Sequence, residues 1–193
     1  MEPERPPEGV SGVDSVLSYP LPTDAHSLVD APPELTLPFN TFYEARRDRL
    51  VRALALTLGD SDLASEAADE AMVRAYQRWD RISSYTDPGA WTYRVGLNWA
   101  TSVLRRRRRA PLAPVERHDG DIGPLAEPDV AVALLELPVH QRAVVVCRFY
   151  LGLSEAEIAA ALHTRPGTVK SRLHRALRHL ETRLAHLSPK ESR

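Results

Sequence analysis

The residues best suited to chemistry lie between Thr164 and Arg178. Val169, Leu173, Leu177, Leu180, Leu184 and Leu187 recur at steps of three and four, which makes one apolar stripe on a helix. At about 100° per residue, that stripe turns Thr164, Thr168, Ser171, Arg175 and Arg178 to the opposite side. Lys170, Arg172 and His174 sit on its flanks. Arg and Lys donate to guanine edges in the major groove, and Ser and Thr bond bases or phosphates. The N-terminal half of this helix therefore suits reading duplex DNA. Arg178 and Arg183 lie further along and suit backbone phosphate or solvent. The alternative is a basic face that is merely solvated.

The elements before this helix must hold it. Ser154-Glu155-Ala156-Glu157 is a capping box, in which Ser154 and Glu157 satisfy each other's free backbone donors. It opens a short helix with Ile158, Ala159 and Leu162 inward. His163 to Gly167 make a turn, and a long helix follows over about 164–187. Short helix, tight turn and longer helix form a helix-turn-helix, whose second helix enters the major groove. Thr164 either caps that helix or joins its outer face. Upstream, Val130, Leu134 and Leu137 mark a short helix ended by Pro138, and 139–151 form another.

A second constellation lies in 39–109, which reads as helical throughout. Phe42, Ala45, Leu50, Leu54 and Leu58 line a first helix, which Gly59 stops. Asp60 or Asp62 caps the next, with Leu63, Ala67, Met72, Tyr76 and Trp79 inward. Glu66, Asp69, Glu70 and Arg74 then share the other side, as a docking face or as local ion pairs. A loop spans 80–87. Asp87-Pro88 starts a third helix, with Asp as cap and Pro in the first turn. There Trp91, Val95, Trp99 and Val103 repeat every four residues, which assigns both tryptophans to the core. Gly96 should weaken this helix by about 1 kcal/mol relative to alanine. Asn98 can pair with a base edge. Tyr85 either stacks on a base or covers the core. Arg105 to Arg109 suit phosphate.

Charge distribution agrees with a nucleic-acid face. The formal net charge is -1, yet residues 1–36 hold one arginine against seven acids, and 164–186 hold six cations against Glu181. Half of the 16 prolines fall in residues 1–38, which read as a disordered acidic tail. Pro111, Pro114, Pro124 and Pro128 mark 110–128 as a flexible linker. A short tail, 188–193, ends the chain. The expected fold is thus all-α, with two small helical domains at 39–109 and 129–187. Cys147, the sole cysteine, sits in an apolar run and reads as buried. No cofactor and no metal site are expected. There is no cluster of metal ligands, no phosphate-cradling glycine loop and no nucleophile constellation, which argues against an enzyme. No apolar run is long enough to insert in a membrane, and no signal peptide is evident, so a cytoplasmic protein is expected.

Two strings resemble one family. Leu153-Ser154-Glu155-Ala156-Glu157-Ile158-Ala159, with Gly167-Thr168-Val169-Lys170-Ser171-Arg172-Leu173-His174-Arg175-Ala176-Leu177, closely resembles region 4 of extracytoplasmic-function sigma factors of the sigma-70 family. Residues 66–79 resemble the region 2 helix that docks on the polymerase β′ clamp. The run from Ala90 to Ala100 with Arg105 to Arg109 resembles the segment that reads the −10 element. The resemblance implies that Thr168, Lys170, Ser171, Arg172, His174 and Arg175 read the −35 element. It implies −10 contacts at Tyr85, Tyr93, Asn98, Arg105 and Arg106, and polymerase docking at Glu66, Asp69, Glu70 and Arg74. The implied partners are core RNA polymerase, through its β′ clamp and β flap, promoter DNA and, in many members, an anti-sigma factor. The loop from Ile82 to Thr86 would hold a flipped base, which offsets unstacking and starts melting. The sequence departs from the family pattern at Asp69, Gly96, Leu97, Ser102 and His163. Its rival is a transcriptional regulator that uses the C-terminal helix-turn-helix alone.

Overall fold

The computed structural model describes residues 37–109 and 127–185; the expected tail, most of the linker and the C-terminal end lie outside them. The described residues are helical and contain no strand. The N-terminal module holds α1 (Phe39–Leu58), α2 (Ser61–Tyr76), α3 (Trp79–Ile82) and α4 (Pro88–Arg109). The C-terminal module holds α5 (Pro128–Glu136), α6 (Val139–Val145), α7 (Glu155–Ala161) and α8 (Pro166–Leu184). A π-helical turn, Val146–Tyr150, continues α6.

Local chemistry places the breaks. α1 ends at Gly59, whose φ of 73° is a left-handed conformation that glycine adopts without penalty. Asp60, not Asp62, caps α2, with its carboxylate accepting from the Leu63 N–H at 2.8 Å. Asp87 does the same for α4, accepting from Ala90 at 3.0 Å. Two details differ from expectation. Residues 79–82 form a single helical turn where a loop was expected, and the expected helix over 139–151 becomes π-helical from Val146. Its wider turn is closed by the Leu151 N–H to the Val146 carbonyl at 3.0 Å.

The N-terminal module packs through small residues. α2 buries Ala64, Ala67, Ala68, Ala71 and Ala75 together with Leu63 and Met72. This alanine face lets α1 and α4 approach closely. Tyr76, expected inward, is 66 % exposed, and Trp79 is only partly buried. Trp79 instead joins Phe39 and Phe42, with ring centroids 5.4 and 4.7 Å away, and donates its indole N–H to the Leu37 carbonyl. The buried stripe of α4 is Ala90, Tyr93, Leu97 and Ala100. The expected ladder of Val95, Trp99 and Val103 lies at the edge of the core, half-buried, and Trp91 is also half-buried.

Gly96 is required by contact. A Cβ there would stand 2.8 Å from Leu54 Cδ1 and 3.0 Å from the Ala67 carbonyl oxygen. The Ala67 oxygen belongs to backbone and cannot swing away. Overpacking costs about 1–3 kcal/mol, against about 1 kcal/mol gained in helix propensity. Gly96→Ala should therefore unfold at a lower urea midpoint than wild type. A raised midpoint would show that backbone freedom, not close packing, governs this position.

Candidate nucleic-acid interface

The capping box forms as expected. Glu157 N–H donates to the Ser154 hydroxyl at 3.3 Å, and Ser154 N–H donates to the Glu157 carboxylate at 2.7 Å. The Ser154 hydroxyl, and after it the Ser154 backbone N–H, hold the Glu157 carboxyl below its ordinary range. The turn after α7 passes through His163 at φ 47°. A glycine-type conformation is thus kept by histidine, which enters the left-handed region more readily than most residues. The turn closes with the Thr164 N–H donating to the Ala159 carbonyl at 3.0 Å. α8 begins at Pro166, with Arg165 as its N-cap and no side-chain capping bond. Thr164 is not the cap.

α8 is anchored by Val169, Leu173 and Ala176. Leu177, placed on the apolar stripe by periodicity, is 39 % exposed. α8 holds Lys170, His174 and Arg175 exposed, with Thr168, Ser171 and Arg172 half-buried beside them. The Ser171 hydroxyl donates to the Thr168 carbonyl at 3.1 Å.

Charge on α8 divides into two zones. Near its end, Glu136 of α5 takes both Arg183 and His179, the latter at 3.0 Å. Arg183, through its hydrogen bond, is the main cause that holds the Glu136 carboxyl below its usual range, and His179 adds to it. Arg165, Lys170, Arg172, Arg175 and Arg178 have no acidic partner among the described residues. The field there is felt by His140 at the start of α6, whose pKa is lowered by partial burial and by Arg172 and Arg175. An uncompensated cationic zone beside exposed polar groups is suited to phosphate and base edges.

On the N-terminal module, Asn98 and Arg105 to Arg109 are exposed along α4, and Tyr85 is half-buried on the preceding loop. Tyr93 is a correction. It is fully buried, and its hydroxyl lies 2.7 Å from the Thr57 hydroxyl, so it belongs to the core and presents nothing to DNA. Burial pushes its pKa well up. Its place in the buried register 90, 93, 97 and 100 was the available signal.

The α2 face carries Glu66 and Asp69 exposed, with Glu70 and Arg74 half-buried. Asp69 pairs with Arg47 of α1 at 2.7 Å, and Glu70 pairs with Arg74 at 2.7 Å. Exposed ion pairs of this kind contribute at most about 1 kcal/mol. Beside them stand Val73, 52 % exposed, and Tyr76, 66 % exposed. The sequence reading missed this apolar element of the face, because periodicity assigned Tyr76 inward. Among the described residues there is no cluster of His, Cys, Asp or Glu that could hold a metal, and no helix long and apolar enough to cross a membrane.

Comparison with known proteins places both modules. Residues 42–110 match the family model for sigma-70 region 2, and residues 129–180 match that for sigma-70 region 4. The RNA polymerase sigma-E factor of Streptomyces avermitilis is 35% identical over 153 residues, which covers 77% of this chain and 86% of that protein. The ECF RNA polymerase sigma factor SigM of Mycobacterium tuberculosis is 34% identical over 158 residues, covering 78% of this chain and 79% of that one. Among solved structures, the sigma factor RpoE of Bartonella quintana, in complex with the anti-sigma factor NepR, gives a TM-score of 0.63 at 24% identity. It covers 76% of this chain and 96% of its own, and shows the fold alone. CnrH, in complex with the cytosolic domain of CnrY, gives 0.54 at 25% identity, over 77% and 88% of the two chains.

Two outcomes follow from the site's geometry. Tyr93→Phe should cost about 1 kcal/mol of stability, the worth of one buried hydrogen bond, in chemical denaturation, while promoter affinity stays at the wild-type value. A selective loss of promoter affinity would restore a DNA role. Because the Glu136 carboxyl is depressed in the folded chain, its contribution is present at neutral pH and is lost as pH falls below the ordinary value of 4.5. Glu136→Gln should flatten the acid limb of thermal stability over that range, and an unchanged limb would remove this pair as a cause.

Proposed function

Because the chain belongs to the extracytoplasmic-function subfamily of sigma-70 RNA polymerase sigma factors, which act in promoter recognition and transcription initiation, we propose a role for each face described above. α8 enters the major groove of the −35 element with Thr168, Lys170, Ser171, Arg172, His174 and Arg175. The α4 face, with Asn98, Arg105 and Arg106, and the loop residue Tyr85 engage the −10 element and favour its melting. Tyr93 holds α4 in place from inside. Glu66, Asp69, Glu70 and Arg74, with Val73 and Tyr76, dock on core polymerase, and the C-terminal module meets the β flap. The protein supplies specificity and carries out no reaction of its own. It works in the cytoplasm, where polymerase and promoter are, and an anti-sigma factor is a further partner.

The observation that carries this reading is the uncompensated positive charge on the N-terminal half of α8. A folded chain normally pairs or disperses its charges. Here Glu136 pairs with Arg183 at one end of the helix, while the cations at the other have no acidic partner among the described residues. Self-repulsion in that zone is offset when phosphate arrives and counterions leave.

The test is transcription by reconstituted holoenzyme on a random promoter library. Arg172→Ala and Arg175→Ala should each cost about 1–3 kcal/mol of base discrimination if bidentate to a base, which is roughly five- to 150-fold. A pure phosphate contact should lower affinity evenly across sequences and reduce the salt slope by about 1. Wild-type output from the double variant would reject α8 as the reading helix.

A further inference from the structure

The docking face proposed on α2 has a contributor on the neighbouring helix. Arg47 of α1 donates Nε and Nη2 to one oxygen of Asp69, Oδ1, at 3.0 and 2.7 Å. Its Nη1 stands 3.8 Å from the Asp48 carboxylate. The bond to Asp69 is the main cause that raises the Arg47 pKa, and partial burial opposes it. Among the described residues nothing else bonds the Asp69 carboxylate, so Oδ2 can accept from a partner. Glu70 repeats the arrangement within α2. Arg74 holds its Oε1 with Nε at 2.8 Å and Nη2 at 2.7 Å, and neither contact uses Oε2.

This contact ends a strip that two helices share. Phe39, Tyr43 and Arg47 follow one another at four-residue steps on α1, so they lie along one side of it. Asp69, Val73 and Tyr76 do the same on α2, at steps of four and three. Arg47 meets Asp69 at one end of the strip. Phe39 meets Tyr76 at the other, with ring centroids 5.2 Å apart. Tyr43 packs on Phe39 at 6.0 Å and is 37 % exposed. The face that carries the α2 carboxylates therefore includes α1.

Stability does not account for the Arg47 contact. An exposed ion pair contributes little to folding, and it immobilises a long side chain that would otherwise sample many rotamers. Its effect is on orientation. The Arg47 side chain is 29 % exposed and that of Asp69 is 54 % exposed, so the guanidinium is the more covered partner and the carboxylate the more presented one. A carboxylate ordered in advance spares the binding step that loss of freedom. Pairing also lowers the net charge of the face, so the gain lies in direction and not in long-range pull. We propose that Arg47 is a positioning residue of the docking face: it fixes Asp69 through Oδ1 and leaves Oδ2 to a cationic donor of core polymerase. The inference rests on the reading above that the α2 face docks on polymerase.

Equilibrium binding of the full-length chain to core polymerase tests this. Arg47→Ala should weaken binding roughly two- to ten-fold, the cost of ordering one side chain at an interface. Its urea midpoint should stay at the wild-type value. Asp69→Ala should weaken binding at least as much, and Arg47→Ala on that background should cause no further loss. An equal loss on both backgrounds would make Arg47 a polymerase contact in its own right and overturn the inference. Unchanged or tighter binding by Arg47→Ala overturns it as well, as does a loss that comes with a lowered urea midpoint. If Asp69→Ala and Glu70→Ala both bind as wild type, the docking reading itself fails and the inference falls with it. If those two lose affinity and Arg47→Ala does not, only the role of Arg47 is rejected.

Discussion

A reading helix must display positive charge that its own chain does not neutralise, and it must do so rigidly. This constraint organises the structure. Charge left unpaired repels itself, so rigidity has to come from apolar burial elsewhere. In α8 it comes from Val169, Leu173 and Ala176, three residues on one side of the helix. The acid that could quench the cationic zone, Glu136, is placed where it meets only Arg183 and His179. Pairing at the far end steadies α8 against α5 and leaves the cations of the near end without an acidic partner among the described residues.

Small modules face a difficulty in supplying that rigidity, because little surface can be buried per residue. The N-terminal module answers with close approach. Alanines along α2 and Gly96 on α4 bring backbones together where larger side chains would hold them apart. Dispersion contacts then accumulate over short distances. The module keeps its aromatic bulk at the edge: Phe39, Phe42 and Trp79 stack at the start of α1, and Tyr76 leans out beside them with its ring 5.2 Å from Phe39. An exposed aromatic next to paired carboxylates gives a face with both apolar grip and charge. That combination suits a protein partner better than nucleic acid.

The shared core adds a second level. Thr57, Tyr93 and Cys147 meet where the modules meet, and burial raises the Cys147 thiol to about 12. At that value the sulfur stays protonated and inert and serves as packing. A hydroxyl pair and a thiol thus lie in the one buried cluster that runs through both modules.

The residue types and spacing alone determined the helix-turn-helix, the capping box, the outward residues of α8 and the exposed Asn98 and arginines of α4. All of these are local: side chains within a few positions, joined by helical geometry, decide them. What periodicity misjudged were the partners across space. Tyr93 and Tyr76 exchange places relative to expectation, one buried and the other exposed, because a four-residue ladder does not say which of two adjacent stripes the neighbouring helix covers. Gly96 reads locally as a weak helix residue, yet Leu54 and Ala67, far away in the chain, make it necessary. The same holds for the contact between modules. Arg49 and Tyr150 are separated by 101 residues, and no spacing rule links them. Their meeting is set by how two finished helical surfaces fit, which only the tertiary structure decides.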